Sequence, residues 1–328
     1  MMDITDRRFR YFMRLINPRV RLYTEMIVCH AIVRGDRQKL LRFDASEHPV
    51  TLQLGGSDAA LMAEAAKIGE EFGYDAVDVN CGCPSDRVGS GNFGACLMRQ
   101  PELVADIVSA ICMAVKIPVS VKCRIGITGE ESQEGLFSFA RGIFKAGASL
   151  LTVHARTATL EGIVLRSDGP AAGRAVPGGH TEVRTAGLSP KENRTIPPLR
   201  YDWAYAVKNR FPGRTIEING GIKTGAEIAA HLERVDRVML GRIAHEDPWF
   251  FSPHPSASLA ERLGVLQRMA EYASRHESED ITAARFFNNM LNIFHALPGA
   301  RLMRRFLSED GRALSPAAAV AKITAMQN

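Results

Sequence analysis

At 328 residues, with 46% hydrophobic and 23% charged side chains, the chain has the composition of a globular protein with room for one large domain and a smaller one. Disorder is excluded as the default state. The formal net charge of +5 is a mild basic balance, compatible with a polyanionic partner but far too small to establish one. Asp3, Asp6, Arg7, Arg8 and Arg10 stand where a secretory signal would need an apolar core. The longest apolar stretch, LVADIVSAICMAVKIPVSV, is broken by Asp106, Lys116 and Pro118 and does not span a bilayer. A soluble, cytoplasmic monomer with no membrane contact is expected.

In chain order, MMDITDRRFRYFMRL reads as a strand-exit loop running into a helix. RLYTEM (21–26) is a weak strand candidate. Stronger ones are VTLQL (50–54), AVDVN (76–80), VSVKCR (119–124), LLTVHAR (150–156), TIEIN (215–219) and RVML (237–240). Amphipathic helices lie between them. In DAALMAEAAKIGEEFG, Asp58 is the expected N-cap, Leu61, Ala65, Ile68 and Phe72 share one face, and Gly73 ends the helix. Strands rich in Val, Ile and Leu that alternate with helices predict a parallel sheet. Polar groups at many strand ends (Gln53, Asn80, Lys122, His154, Arg156, Asn219) favour a TIM-type (β/α)8 barrel over a doubly wound sheet. Seven strands are counted where eight close a barrel, so a chain truncated at its N-terminus and lacking the first strand is expected.

Residues 162–186, dominated by Gly, Pro and Ala, predict an irregular insertion in the barrel. From about Pro255 onward the pattern is helical alone. The domain reading is a catalytic barrel over 1–254, carrying that insertion, and a helical domain over 255–328.

Six cysteines (29, 81, 83, 96, 112, 123) show no CxxC pair and no finger-like His spacing, so no zinc or other metal is expected. Cys83 stands apart: it follows Gly82 on a strand exit, precedes Pro84, and opens the loop PSDRVGSGNFGA, which reads as a lid over a site. A free thiol titrates near about 8.5 and so can donate a proton at neutral pH. Cys81 would face differently, and one of the two is expected to be functional. The glycine turns NGGI (219–222) and Gly241-Arg242 leave the last two strands, where such barrels hold phosphate on backbone N–H groups; the bland alternative is that they only turn the chain. A buried Lys122 demands an anion, either a reduced flavin ring or a substrate carbonyl held as a Schiff base, unless it snorkels to the rim. His154 has the simpler reading of a hydrogen-bonded core residue. Arg301, Arg304 and Arg305 lie three and four apart, a basic helical face suited to RNA phosphates or merely to solvent.

MDITDRRFR, LYTEM, LQLGGSD, VNCGCPSDRVGSGNFGACLM, VKCRIG, VHAR, GLSPKENRTIPPLR, NGGI and MLGR, in this order, resemble the tRNA-dihydrouridine synthases, and SPKENR points to their A-type subfamily. The resemblance covers essentially the whole chain except the insertion. It implies an FMN enzyme reduced by NADPH that reduces the C5–C6 bond of uridine in the tRNA D-loop, at positions 20 and 20a for this subfamily. It implies Cys83 as proton donor and flavin contacts at Met1, Met2, Gln53, Lys122, His154, Asn219, Gly220, Gly221, Gly241 and Arg242. It further implies tRNA contacts at Asn80, Arg156, Lys191, Arg194, Arg301 and Arg304. The target base must leave its stack to reach the flavin.

This sequence departs from the family pattern in four places. The proline that precedes the first Met in the family is missing; Asp78 stands where Asn is usual, and Cys81 where Val or Leu is usual. The insertion enters between Glu161 and Gly187, just before Lys191 and Arg194, and threatens to displace them. Three other readings stay open: a flavin oxidoreductase on a free pyrimidine, like the dihydroorotate dehydrogenases; a Schiff-base aldolase using Lys122; and an inactive, truncated tRNA-binding paralogue.

Overall fold

The structure, a computed structural model, describes residues 1–85, 93–160, 164–167, 174–175, 181–184, 187–254 and 258–326. Residues 86–92 of the expected lid, most of the insertion, and the domain boundary expected at Pro255 lie outside the described residues. The chain divides into two compact units. One holds Met1–Glu25, Phe43–Pro49 and Gly241–Asn328; the other holds Met26–Arg42 and Val50–Leu240. By this division Gly241–Asn328 and two N-terminal segments form the helical unit. Among the described residues no helix is long and apolar enough to cross a membrane.

The main sheet is built on β1 (Leu22–Val28), of which Met26–Val28 falls in the larger unit, and on that unit's β2 (Val50–Gly55), β3 (Ala76–Cys81), β4 (Val119–Arg124), β5 (Leu150–His154), β9 (Thr215–Asn219) and β10 (Arg237–Met239). Their order in one sheet is β1-β2-β3-β4-β5-β9-β10, and every pair from β2 to β10 runs parallel. This is the TIM-barrel-type α/β arrangement that the alternating pattern predicts. Among the described residues the sheet has seven strands, as counted in the sequence, and none joins β1 to β10.

Helices follow the strands for local reasons. Asp58 caps Ala59–Glu71 as expected, its Oδ1 accepting from Leu61 N at 2.9 Å, and Gly73 leaves the helix at φ +92°. The buried stripe is Met62, Ala65, Ala66, Ile68 and Gly69; of the expected face, Ala65 and Ile68 are buried and Leu61 and Phe72 half-buried. At Gly69 a Cβ would lie 2.4 Å from Leu52 Cδ2, so the glycine lets the helix approach β2 closely.

Within the segment expected to be irregular, three short strands form an antiparallel sheet, β6 (Val164–Ser167), β7 (Arg174–Ala175) and β8 (Thr181–Arg184), in the order β6-β8-β7. Pieces of two to four residues between glycines and prolines are too short to show a period of two in sequence.

In the helical unit, Asp6 caps the helix Arg7–Ile16, whose Phe9, Phe12, Met13 and Ile16 are buried. Arg10 Nε donates to Glu47 Oε2 at 2.6 Å in a buried pair, and Arg14 Nη2 donates to the Glu47 carbonyl at 2.8 Å. Arg7 and Arg8 both grip Glu277, and Tyr11 stacks on Tyr272 with ring centroids 4.4 Å apart. These contacts tie the N-terminal helix to Leu259–His276 and explain why 43–49 belongs with them.

Candidate active site

The pleat of β3 puts Asp78 and Asn80 on one face and Val77, Val79 and Cys81 on the other. On the polar face a chain of hydrogen bonds crosses three strands. Ser120 Oγ donates to Asp78 Oδ1 at 2.7 Å, Gln53 Nε2 donates to Asp78 Oδ2 at 2.8 Å, and Asn80 Nδ2 donates to Gln53 Oε1 at 2.8 Å. Asn80 Oδ1 then accepts the backbone N–H of both Gly82 and Cys83, each at 3.0 Å. The Cys83 carbonyl accepts from Ala95 N at 2.9 Å, closing the base of the loop.

This settles the different settings of the two cysteines. Cys81 is fully buried on the face opposite Asn80, level with Cys123, and burial holds its thiol well above the ordinary value. Cys123 is pushed up to about 12 for the same reason. Both are small hydrophobes of the helix-facing layer. Cys83 is partly exposed, and its backbone is held by the same asparagine that reaches Gln53.

Lys122 lies level with Asn80 on β3 and Thr152 on β5. Burial lowers its pKa and so does Arg124; Asp78 and Glu217 oppose the shift. Among the described residues its ammonium makes no hydrogen bond or ion pair. Glu217, which accepts from Thr152 Oγ1 at 2.8 Å, and Asp78 both have raised pKa values, burial being the largest cause in each. The sign for stability follows. A carboxyl held up in the folded state binds its proton more tightly there than in the unfolded chain, so stability falls as pH rises from the ordinary carboxylate range through the raised value. Asp78→Asn keeps the shape and removes that loss. It is expected to raise the melting temperature at neutral pH by a few degrees, about 1 kcal/mol or more, with no gain at pH 4, as calorimetry at both pH values would show.

At the end of β9, Asn219 Nδ2 donates to the Met239 carbonyl at 2.8 Å, tying β9 to β10. Gly220 and Gly221 follow at φ +117° and +75°, a left-handed path that no other residue takes without strain. A Cβ at Gly220 would lie 3.1 Å from His154 Nε2, and one at Gly221 would lie 2.6 Å from Leu199 Cδ1. The turn thus rests on His154 and Leu199, with no room for side chains.

Several contributors escaped the sequence reading. Arg124 is buried; its Nε donates to the Gly82 carbonyl at 3.0 Å, and its Nη1 donates to the carbonyls of Thr157 at 2.9 Å and Asn193 at 2.8 Å. Burial lowers its pKa to about 10, and it lies within electrostatic reach of Cys83, Arg194 and Arg156. Asn193 is fully buried: its Oδ1 accepts from Thr159 N at 2.7 Å and its Nδ2 donates to the Leu188 carbonyl at 2.6 Å. It pins the segment after the insertion, leaving Lys191 and Arg194 exposed on either side. Arg156, an expected tRNA contact, is buried, its Nη1 donating to the Pro197 carbonyl. Asp78, Ser120 and Glu217 each sit two positions before a flagged residue on the same strand face, and that alternation was the signal available for them.

In the helical unit, a Cβ on Gly241 would lie 3.9 Å from Met1 Sδ; Arg242 is half-buried, and Met2 is exposed. The helix Ala300–Ser308 leaves Arg301 exposed, while Arg304 Nη1 donates to Asn292 Oδ1 at 3.3 Å and Arg305 pairs with Glu309 at 3.1 Å.

Comparison with known proteins meets this geometry from the other side. The sequence profile of the dihydrouridine synthase (Dus) family matches residues 1–327. A protein of Synechocystis named tRNA-dihydrouridine(20/20a) synthase is 46% identical over 316 residues, covering 94% of this chain and 87% of its own. Proteins of the same name from Xanthomonas campestris and Pseudomonas aeruginosa are 44% and 43% identical, each over 94% of this chain and over 86% and 88% of their own. With a family match over nearly its whole length, and a thiol-bearing loop hung from the strand ends of a parallel barrel sheet, the chain belongs to the dihydrouridine synthase family.

Proposed function

We propose that this protein reduces the C5–C6 double bond of uridine to dihydrouridine in tRNA, with FMN as its flavin, NADPH as reductant, and D-loop positions 20 and 20a as targets. The observation that carries this reading is the Asn80 bridge. One side chain joins the Gln53–Asp78 pair to the Cys83 backbone and lies level with Lys122, so the thiol loop and the half-buried cation share one frame.

The residues fit an anionic planar cofactor with a phosphate tail. Lys122 is a desolvated cation with no direct anionic partner among the described residues, as a site for a negatively charged ring requires. The Gly220-Gly221 turn makes no backbone N–H bond among the described residues and has no space for a Cβ, as a phosphate cradle requires. Bound FMN would supply the hydride that goes to uracil C6.

The chain's own residues do the rest. Lys122, Gln53 and His154 would hold the ring of the cofactor, the lysine offsetting its negative charge. Asn219, Gly220 and Gly221 hold the phosphate side, and Gly241, Arg242, Met1 and Met2 keep the cofactor roles that family likeness gives them. Cys83 Sγ delivers a proton to C5 of the uracil, and the thiolate left behind recovers one from water. Hydride plus proton balance the two hydrogens gained. Asn80 orients the base, while Lys191, Arg194, Arg301 and Arg304 meet RNA phosphates. Arg156 serves by holding the segment that carries Lys191 and Arg194.

Purified protein is expected to be yellow, to bleach with NADPH, and to form dihydrouridine in tRNA lacking the modification. A colourless protein that takes up no FMN overturns the reading, and turnover of free uracil regardless of tRNA favours the free-pyrimidine oxidoreductase. Binding to tRNA should weaken steeply with salt. The double variant Lys191→Ala, Arg194→Ala should flatten the log–log salt slope by about 1 to 2 and weaken all tRNAs alike. An unchanged slope removes these two residues from the interface.

A further inference from the structure

The Gly220-Gly221 turn has a support that the reaction scheme does not use. Tyr201, the first residue of the helix Tyr201–Arg210, donates its hydroxyl to the Gly220 carbonyl at 2.6 Å. Its ring meets the buried His231 edge-on, with centroids 4.5 Å apart. His231 Nδ1 is in turn 2.7 Å from the Tyr205 hydroxyl, and Arg234 lies over the Tyr205 ring, 4.6 Å from its centroid. A Cβ at Gly221 would come within 3.1 Å of the Tyr201 oxygen, so tyrosine and turn are in contact.

Peptide planarity gives this contact a direction. In a trans peptide the carbonyl of one residue and the N–H of the next point opposite ways. Fixing the Gly220 carbonyl on Tyr201 therefore aims the Gly221 N–H away from the tyrosine. That N–H finds no acceptor among the described residues. A glycine pair at positive φ is otherwise the part of this loop with the most conformational freedom to lose. Burial raises the Tyr201 pKa, which keeps its hydroxyl a donor.

We propose that Tyr201, braced by His231, is a positioning residue that presets the glycine turn for an anion by pointing the Gly221 N–H at it. The inference rests on the flavin reading, in which the anion is the FMN phosphate. No side chain of the Tyr201–His231–Tyr205 group touches the reacting atoms; it acts through the backbone it holds. Preorganising the donor removes an ordering cost that would otherwise be charged at binding.

The test is titration of apoprotein with FMN and with riboflavin, which lacks the phosphate, followed by flavin fluorescence. Tyr201→Phe is expected to raise the FMN dissociation constant about tenfold and to leave riboflavin within about twofold of wild type. His231→Gln should give the same FMN-selective loss to a smaller degree, and it carries the test if Tyr201→Phe melts well below wild type. A merely structural role would weaken both flavins equally, and that result, or no change for either, overturns the proposal. Wild type binding riboflavin as tightly as FMN also overturns it while leaving flavin dependence intact. Wild type binding neither flavin fails the proposed function itself.

Discussion

Replacing Cys83 with alanine is expected to cut dihydrouridine formation by about 100- to 10,000-fold, the range for loss of a positioned general acid, with flavin absorbance and tRNA binding retained. The retention matters as much as the loss. Among the described residues Cys83 enters the hydrogen-bond frame only through its backbone, whose N–H meets Asn80 and whose carbonyl meets Ala95. Alanine keeps both bonds, so the variant isolates the sulfur. Cys81→Ala is the matched control: its side chain is sealed in the layer opposite the site, and it should cost about 1 kcal/mol of stability while leaving turnover near wild type. Equal loss in the two variants, measured by dihydrouridine content after single-turnover reduction, would show that the donor is not Cys83. A fully active Cys83→Ala would do the same.

Lys122→Met should act in opposite directions on stability and function. In the apoprotein Lys122 is a desolvated cation whose pKa is lowered, first by burial. The unfolded chain then binds that proton more tightly than the folded one. Stability therefore rises with pH through the window between the lowered value and the ordinary 10.5, and the cost is largest below that window. Methionine removes the charge and keeps the stem, so the apo variant should melt at a higher temperature and lose that alkaline slope. With flavin bound the balance reverses. Leaving a reduced, negatively charged ring without its cation costs about 3 kcal/mol, which lowers the two-electron potential by about 60 mV. Potentiometry and alkaline melting curves check the two halves separately. An unchanged potential would remove Lys122 from the cofactor's surroundings, and an aldolase role would show instead as borohydride trapping of a Schiff base on this lysine.

The barrel strands were legible because runs such as VSVKCR and TIEIN combine β-branched residues with a polar partner at every second position, a local property of the chain. The two cysteines were separable for the same reason: a period of two sends neighbours at 81 and 80 to opposite faces. Arg124, Asn193 and Tyr201 were not legible, because each owes its role to a carbonyl 42, 34 or 19 residues away in sequence. That the N-terminal helix belongs with the helical unit was not legible either, because it is held through Glu277 and Tyr272, late in the chain, and no composition change marks that.

The clamp at the foot of the Cys83 loop bears on how such an enzyme can diversify. Among the described residues Asn80, Arg124 and Ala95 grip main-chain atoms of 82 and 83 and leave the thiol out of the clamp. A different acid could therefore stand at position 83 without loosening the foot of the loop, so evolution can exchange the reacting group while inheriting its placement.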